Sequence, residues 1–285
     1  MALPELAPST PQPGRDVGPI HPGSGRDQGI LKRIGGALAA IGLFIAKLGA
    51  KAKLLLVALP KLKLFSTSAS MLVSIVAYQL IFGWAFSVGF VLLLLLHELG
   101  HVFQLRREGI KASAPMFIPF LGAVISAKSM GDDAGAEARV GLAGPILGSI
   151  ATLVPLAIWL ATGSHLWQAL AFIGFFINLF NLLPILPLDG GRAMAALSPW
   201  VWLIGFAGLL ALAFFFPSPI VLLILLLGGM ESWRRWKARN TPEGRTYHRI
   251  PARTRALVAA TYLLLIVALA FGVSATHLPR GLSDV

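Results

Sequence analysis

The sequence predicts an all-α membrane protein, a polytopic helical bundle with about seven transmembrane helices and a short membrane-associated extended segment. Two observations on the whole chain support this fold class. Hydrophobic residues make up 56% of the 285 residues, and charged residues make up only 13%, about half the charged fraction of a soluble domain. Long apolar runs recur along the chain, and Lys and Arg cluster at alternate ends of them, as expected where positive loops stay on the cytoplasmic side.

Composition also limits the chemistry that the chain can perform. The sequence contains no Cys, which excludes disulfides and thiolate metal sites. Its net charge of +12 could suggest a nucleic-acid partner. However, the basic residues lie beside apolar segments, where they indicate membrane orientation and contact with anionic lipid. We therefore expect anionic lipid at a basic cytoplasmic face and no nucleic acid.

The first 63 residues are predicted to stay outside the membrane. Residues 1–30 contain six prolines, which predicts a disordered tail. Residues 31–63 alternate short apolar runs with lysines, and we interpret them as a basic amphipathic segment on the cytoplasmic leaflet. The apolar run Gly35–Ala46 is shorter than the roughly 20 residues that span a bilayer. A crossing by residues 35–60 remains the alternative.

A transmembrane core is predicted at 64–192, followed by C-terminal transmembrane helices with a basic loop at 193–285. The seven spans are placed at about 66–84, 87–106, 138–161, 166–187, 200–216, 219–235 and 256–275. Three connecting loops, near Trp84–Ser87, Thr162–Leu166 and Pro217–Pro219, carry no charge, whereas the opposite loops carry Lys and Arg. This asymmetry predicts a cytoplasmic N-terminus and an outside C-terminus. We expect the chain to lie in the cell's inner (plasma) membrane.

The stretch Gly109–Gly131 separates the second and third predicted helices. Pro115, Pro119 and Gly122 interrupt its apolar residues, and proline both removes a backbone donor and breaks helices. We therefore predict short extended pieces at the inner interface, covered by protein or lining a wet cavity. In the next helix, Gly144 and Gly148 form a face of small residues that lets a neighbouring backbone approach closely.

The second predicted helix carries the motif His97-Glu98-Leu99-Gly100-His101. Residues four apart lie on one helical face, so both imidazoles leave the same side. Such a pair can occupy two corners of a tetrahedral Zn²⁺ site, with Glu98 as the base that takes a proton from water. Ionisable groups inside an apolar helix are expensive in a bilayer, which favours a functional site over a solvated helix end.

A second motif, Asn178 to Arg192, ends the fourth predicted helix with two prolines and then Asp189-Gly190-Gly191. A carboxylate here could be the third zinc ligand, leaving the fourth position for water. Both motif helices are predicted to run from outside to inside, so the two motifs reach the same membrane face. An alternative third ligand would be a Glu on a later helix, for which Glu137 and Glu231 are the candidates.

Together the two motifs, HELGH and NLLPILPLDGGR, resemble the site-2 protease family of intramembrane zinc metalloproteases, and Gly144-Pro145 is similar to the family pattern. The similarity covers about residues 66–192. It implies that His97, His101 and Asp189 bind Zn²⁺, that Glu98 is the catalytic base, and that Asn181 stabilises the tetrahedral intermediate. It also implies that the segment Ser113–Ala127 offers an edge strand to an unwound substrate, with Ser113, Pro115 and Phe117 as candidate substrate-binding residues.

The predicted function is therefore hydrolysis of a peptide bond in a membrane-embedded segment of a transmembrane protein or peptide. The alternative is a metal transporter or metal sensor that uses the same ligands. A transporter needs a second polar pathway across the membrane, and the last three predicted helices offer almost no buried ionisable group for one.

Overall fold

The structure is a computed structural model and describes residues 67–215 and 219–277. The predicted tail at 1–30 and the predicted interfacial segment at 31–63 lie outside the described residues. In chain order the elements are α1 (Thr67–Phe82), α2 (Trp84–Arg107), β1 (Met116–Ile118), β2 (Gly122–Val124), α3 (Ala134–Thr162), α4 (His165–Asn181), α5 (Asp189–Met194), α6 (Pro199–Phe215), α7 (Pro219–Ala238), α8 (Pro242–Tyr247) and α9 (Ala252–Thr276).

The described chain is mostly helical, as predicted. Three of its helices, α2, α3 and α9, are long and apolar enough to cross a membrane. Helix α1 and the apolar part of α6 are shorter, and α4 has 17 residues, fewer than the roughly 20 that a span requires. The predicted count of about seven spans is not confirmed.

Two helix boundaries differ from the prediction for identifiable reasons. The fourth helix, predicted to reach residue 187, ends at Asn181, because Pro184 has no N–H for the helical ladder and restricts the residue before it. The chain then turns and forms the short helix α5, which was not predicted. Helix α3 begins earlier than predicted, because the Asp133 carboxylate accepts a hydrogen bond from the Ala136 N–H at 2.7 Å and caps the helix.

The proline-containing segment between α2 and α3 folds as an antiparallel hairpin. Strands β1 and β2 pair with Phe117 opposite Ala123, and Ala112 and Ala127 form a further bridge. The connecting turn places Phe120 at φ 64°, a left-handed conformation that few residues adopt. The Phe120 N–H donates to the Tyr78 hydroxyl on α1 at 3.1 Å, so the hairpin is attached to the first helix.

Helix α3 is the central element, since it packs against α2, α4, α5 and α9. At its start, the Arg139 guanidinium donates two hydrogen bonds to Glu108, just after α2, at 2.7 and 2.9 Å. This bidentate pairing lowers the pKa of Glu108 and joins the end of α2 to the beginning of α3. The largest cluster of buried apolar residues lies around α3 and includes Leu142, Phe175, Leu186, Met194, Trp202 and Leu269.

Candidate metal centre

Two histidines of α2 and the first residue of α5 meet inside the bundle. The Nε2 atoms of His97 and His101 lie 3.2 Å apart. An Asp189 carboxylate oxygen lies 3.1 Å from the His97 Nε2 and 3.2 Å from the His101 Nε2. The three residues are 4%, 6% and 8% exposed, respectively. Within the described part of the chain, they form the group of side chains that could hold a metal ion.

Hydrogen bonds on the far side of each imidazole determine which ring nitrogen faces the centre. The Asn178 Nδ2 donates to the Gly174 carbonyl at 2.8 Å, so its Oδ1 is the atom that faces His97. The His97 Nδ1 donates to that oxygen at 2.8 Å, and the His101 Nδ1 donates to the Val140 carbonyl at 2.8 Å. In the neutral form that binds a metal, each ring therefore presents an unprotonated Nε2 to Asp189.

This donor set fits a zinc ion. The two Nε2 atoms and the Asp189 carboxylate oxygen each carry a lone pair, and they lie within 3.2 Å of one another. They would repel one another unless a cation or a proton lay between them. Zinc with bonds of about 2.0–2.1 Å separates its tetrahedral ligand atoms by about 3.3–3.4 Å, close to the spacing seen here. Two imidazoles and one carboxylate are also a ligand set of catalytic zinc sites, which leave one position open.

A metal ligand must be deprotonated, so Asp189 would hold the ion as a carboxylate and each histidine would hold it as a neutral imidazole.

Glycines along one face of α3 make room for the centre. A methyl group at Gly144 would overlap the imidazole of His101, and one at Gly148 would overlap the amide of Asn178. At Gly141 it would contact the Asp189 carbonyl. The Gly144–Gly148 face, which was predicted to allow close packing, thus lies against side chains and backbone of the centre.

Glu98 lies beside the centre rather than in the ligand group. It is half-buried and close enough to interact electrostatically with His97, His101 and Asp189. Among the described residues its carboxylate has no hydrogen-bond partner, which leaves it available to a water molecule. Its role as a base stays a prediction.

Asn181 and the hairpin residues have roles that stay predictions. Asn181 is half-buried at the end of α4. Ser113 is exposed, and its N–H donates to the Ser126 carbonyl at 2.8 Å. Pro115 is buried. The Phe117 side chain is 2% exposed and packs with apolar residues of α1 and α2, so it could reach a substrate only through its backbone.

Both alternative acids are paired with Arg235 of α7. The Arg235 guanidinium donates to Glu137 at 2.7 and 2.8 Å and to Glu231 at 2.9 Å, and the Tyr247 hydroxyl also donates to Glu137. Arg234 also pairs with Glu231, at 2.8 Å. These ion pairs leave Glu137 and Glu231 out of the group formed by the two histidines and Asp189.

The role of Asn178 at the centre was not predicted from the sequence. Asn178 is 3% exposed and lies in α4, one turn before Asn181. A polar amide at a buried helix position was the available signal, since such groups need partners.

The profile described as peptidase family M50 matches residues 85–164 and 159–212, a range that contains both histidines, Glu98, both asparagines and Asp189. A zinc metalloprotease of Methanocaldococcus jannaschii is 32% identical over 122 residues, which cover 40% of this chain and 34% of that protein. The chain therefore matches about a third of the length of this curated relative.

Proposed function

We propose, from the confirmed resemblance to peptidase family M50, the site-2 protease family, that the chain is an intramembrane zinc metalloprotease. In this proposal it hydrolyses a peptide bond of a membrane-embedded substrate segment. The observation that carries the proposal is the meeting of His97 and Asp189, 92 positions apart in sequence, with His101 at mutual distances of 3.1–3.2 Å. The inner membrane and a cytoplasmic N-terminus are part of the same proposal.

The chain's own residues would divide the reaction among them. His97, His101 and Asp189 hold the ion; zinc, when bound, supplies a Lewis acid that polarises the scissile carbonyl and activates water near neutral pH. Glu98 takes the proton of the attacking water and passes it to the leaving amine. Asn181 donates a hydrogen bond to the oxygen that becomes negative.

A substrate helix must unwind before its carbonyl can be attacked, because a helix pairs and shields its own backbone. The hairpin can receive such an unwound strand. The Phe117 N–H donates to the Ser70 hydroxyl of α1 at 3.1 Å and therefore points away from β2. Ala123 lies opposite Phe117 in the register, and opposite residues of an antiparallel pair either bond to each other or both point outward. The N–H and C=O of Ala123 must therefore point away from β1. We infer that a substrate strand adds to the β2 edge at Ala123.

Cleavage and metal dependence together test the proposal. The purified full chain is reconstituted in vesicles with a single-span transmembrane peptide whose helix contains Gly and Pro, and products are identified by mass spectrometry. We expect zinc-dependent cleavage within the span that stops with 1,10-phenanthroline and returns when zinc is restored. A zinc-loaded protein that leaves a panel of such peptides intact would contradict the proposal.

The same vesicles test the transporter alternative, which the comparisons do not favour. A zinc-sensitive dye enclosed in the vesicles reports metal flux. Saturable flux without any peptide cleavage would replace the protease by a transporter.

A further inference from the structure

A basic cleft lies at the surface where three segments of the chain meet. These are the residues that follow α5, the turn between α7 and α8, and the start of α9. The cleft has a volume of about 300 Å³, and its polar lining consists of Arg239, Asn240, Arg245, His248 and Arg255. Three arginines and a histidine face it, and none of its lining residues is acidic.

Each arginine of the basic cleft is held in place by a backbone carbonyl. Arg239 donates to the Trp236 carbonyl at 2.6 Å, and Arg255 donates to the His248 carbonyl at 2.8 Å. Arg245 donates twice to the Asn240 carbonyl, at 3.1 and 2.9 Å. A guanidinium has five N–H donors, so most donors remain available, and a carbonyl positions the group without neutralising its charge.

Three other arginines of the described chain are neutralised by carboxylates. Arg139 pairs with Glu108, and Arg234 and Arg235 pair with Glu231. By contrast, no carboxylate of residues 67–215 or 219–277 lies within salt-bridge distance of Arg239, Arg245 or Arg255. A larger neighbouring cleft of about 780 Å³ also contains arginines, but it is lined by Asp132, Glu231 and Glu243 as well. The basic cleft therefore brings together three arginines that have no carboxylate partner, whereas the neighbouring cleft, which Arg239 also lines, combines positive and negative side chains.

We propose that the basic cleft binds a phosphate group, as a free anion or as part of a lipid headgroup. Guanidinium forks match the oxygens of phosphate in geometry and charge. The cleft lies where α7 has ended and the apolar helix α9, a candidate membrane span, begins. Headgroup phosphates of a bilayer occur at this level of a spanning helix. The site is independent of the proposed protease chemistry.

Binding of two probes to the full chain in nonionic detergent tests the site. Dioctanoyl phosphatidylglycerol is titrated by calorimetry, and inorganic phosphate is titrated separately and as a competitor. The test variant is Arg239→Gln/Arg245→Gln/Arg255→Gln. The matched control, Lys237→Gln/Arg249→Gln/Arg253→Gln, removes the same charge from residues of the same region that are exposed and do not line the cleft.

We expect one saturable site whose affinity falls by at least about tenfold in the test variant and by less than about twofold in the control. Displacement of the lipid by millimolar phosphate would identify free phosphate as the ligand, and retention would identify the headgroup. Zinc content and the thermal unfolding midpoint are measured on every variant. A third variant, Arg239→Lys/Arg245→Lys/Arg255→Lys, keeps the positive charge and is used if the glutamine variant does not fold. It should also bind the lipid more weakly than the control variant.

Two results would overturn the proposal. The first is the absence of saturable binding of either probe to the unaltered chain. The second is an equal loss of affinity in the test and control variants, because that result would describe diffuse attraction to a basic loop rather than a site.

Discussion

The His97 imidazole donates from Nδ1 to the Asn178 Oδ1 at 2.8 Å, while its Nε2 lies 3.1 Å from the Asp189 carboxylate. Asn178 is itself held by the Gly174 carbonyl, and its amide occupies the space left by the absent side chain of Gly148. Through this chain of contacts, α3 and α4 determine the orientation of a ring of the candidate metal centre that belongs to α2.

Replacement of Asn178 by Leu should weaken zinc binding by about 10–100-fold, since a group that orients a ligating histidine commonly contributes that much. Asn178→Asp, which keeps an acceptor oxygen, should retain most of the affinity. The measurement is zinc competition against a fluorescent chelator. Unchanged zinc affinity in Asn178→Leu would show that the hydrogen bond does not position His97.

Asn181→Leu should distinguish the role of Asn181 from that of Asn178, the other asparagine of α4. If Asn181 stabilises the developing oxyanion, its loss lowers kcat by about 10²–10³, while zinc affinity and the thermal unfolding midpoint stay the same. Peptide cleavage and zinc content are measured on one preparation. Loss of zinc with Asn181→Leu would instead assign it a structural part in the metal site.

Glu98→Gln should retain zinc, because Glu98 lies outside the group of three residues that could hold the ion. It should lose cleavage by at least about 10²–10⁴, because the amide cannot accept the proton of water. Product formation is followed by mass spectrometry of the transmembrane peptide. Cleavage at the unaltered rate would exclude Glu98 as the base.

Asp189→Ala should lose both zinc and activity, since it removes one of the three residues that could hold the ion and leaves a cavity beside two imidazoles. Asp132→Ala is the control, because Asp132 is exposed and should keep its zinc. Metal content is measured by mass spectrometry after gel filtration. Full zinc occupancy of Asp189→Ala would remove this residue from the ligand set.

Gly144→Ala should lower the thermal unfolding midpoint and zinc affinity together. A methyl group there overlaps the ring of His101, and such overpacking typically costs about 1–3 kcal/mol. Gly208→Ala in α6 is the control, because a methyl group at that position meets open space and favours the helix by about 1 kcal/mol. If the two variants had the same thermal unfolding midpoint and the same zinc affinity, the space beside His101 would not be needed for metal binding.

Sequence reasoning predicted the helical class, the resemblance to the protease family, and two histidines on one helical face. These depend on composition and on local spacing, which the chain carries at every position. It did not predict the hydrogen bond of Asn178 to His97, nor the pairing of Glu137 with Arg235, because residues 81 and 98 positions apart meet only after helices pack. The short helix α5 was missed for a similar reason, since six residues have little helical preference of their own.

The sequence by itself determined which chemical groups this protein has and how they are spaced within each helix: two imidazoles one turn apart, a neighbouring Glu98, and a carboxylate after two prolines. Tertiary structure decided that Asp189 lies 3.1 Å from His97 and that glycines of α3 leave the space in which His101 and Asn178 lie. The reason is physical. Spacing within a helix follows from the covalent chain and its hydrogen-bond ladder, whereas distances between helices depend on the packing of side chains remote in sequence.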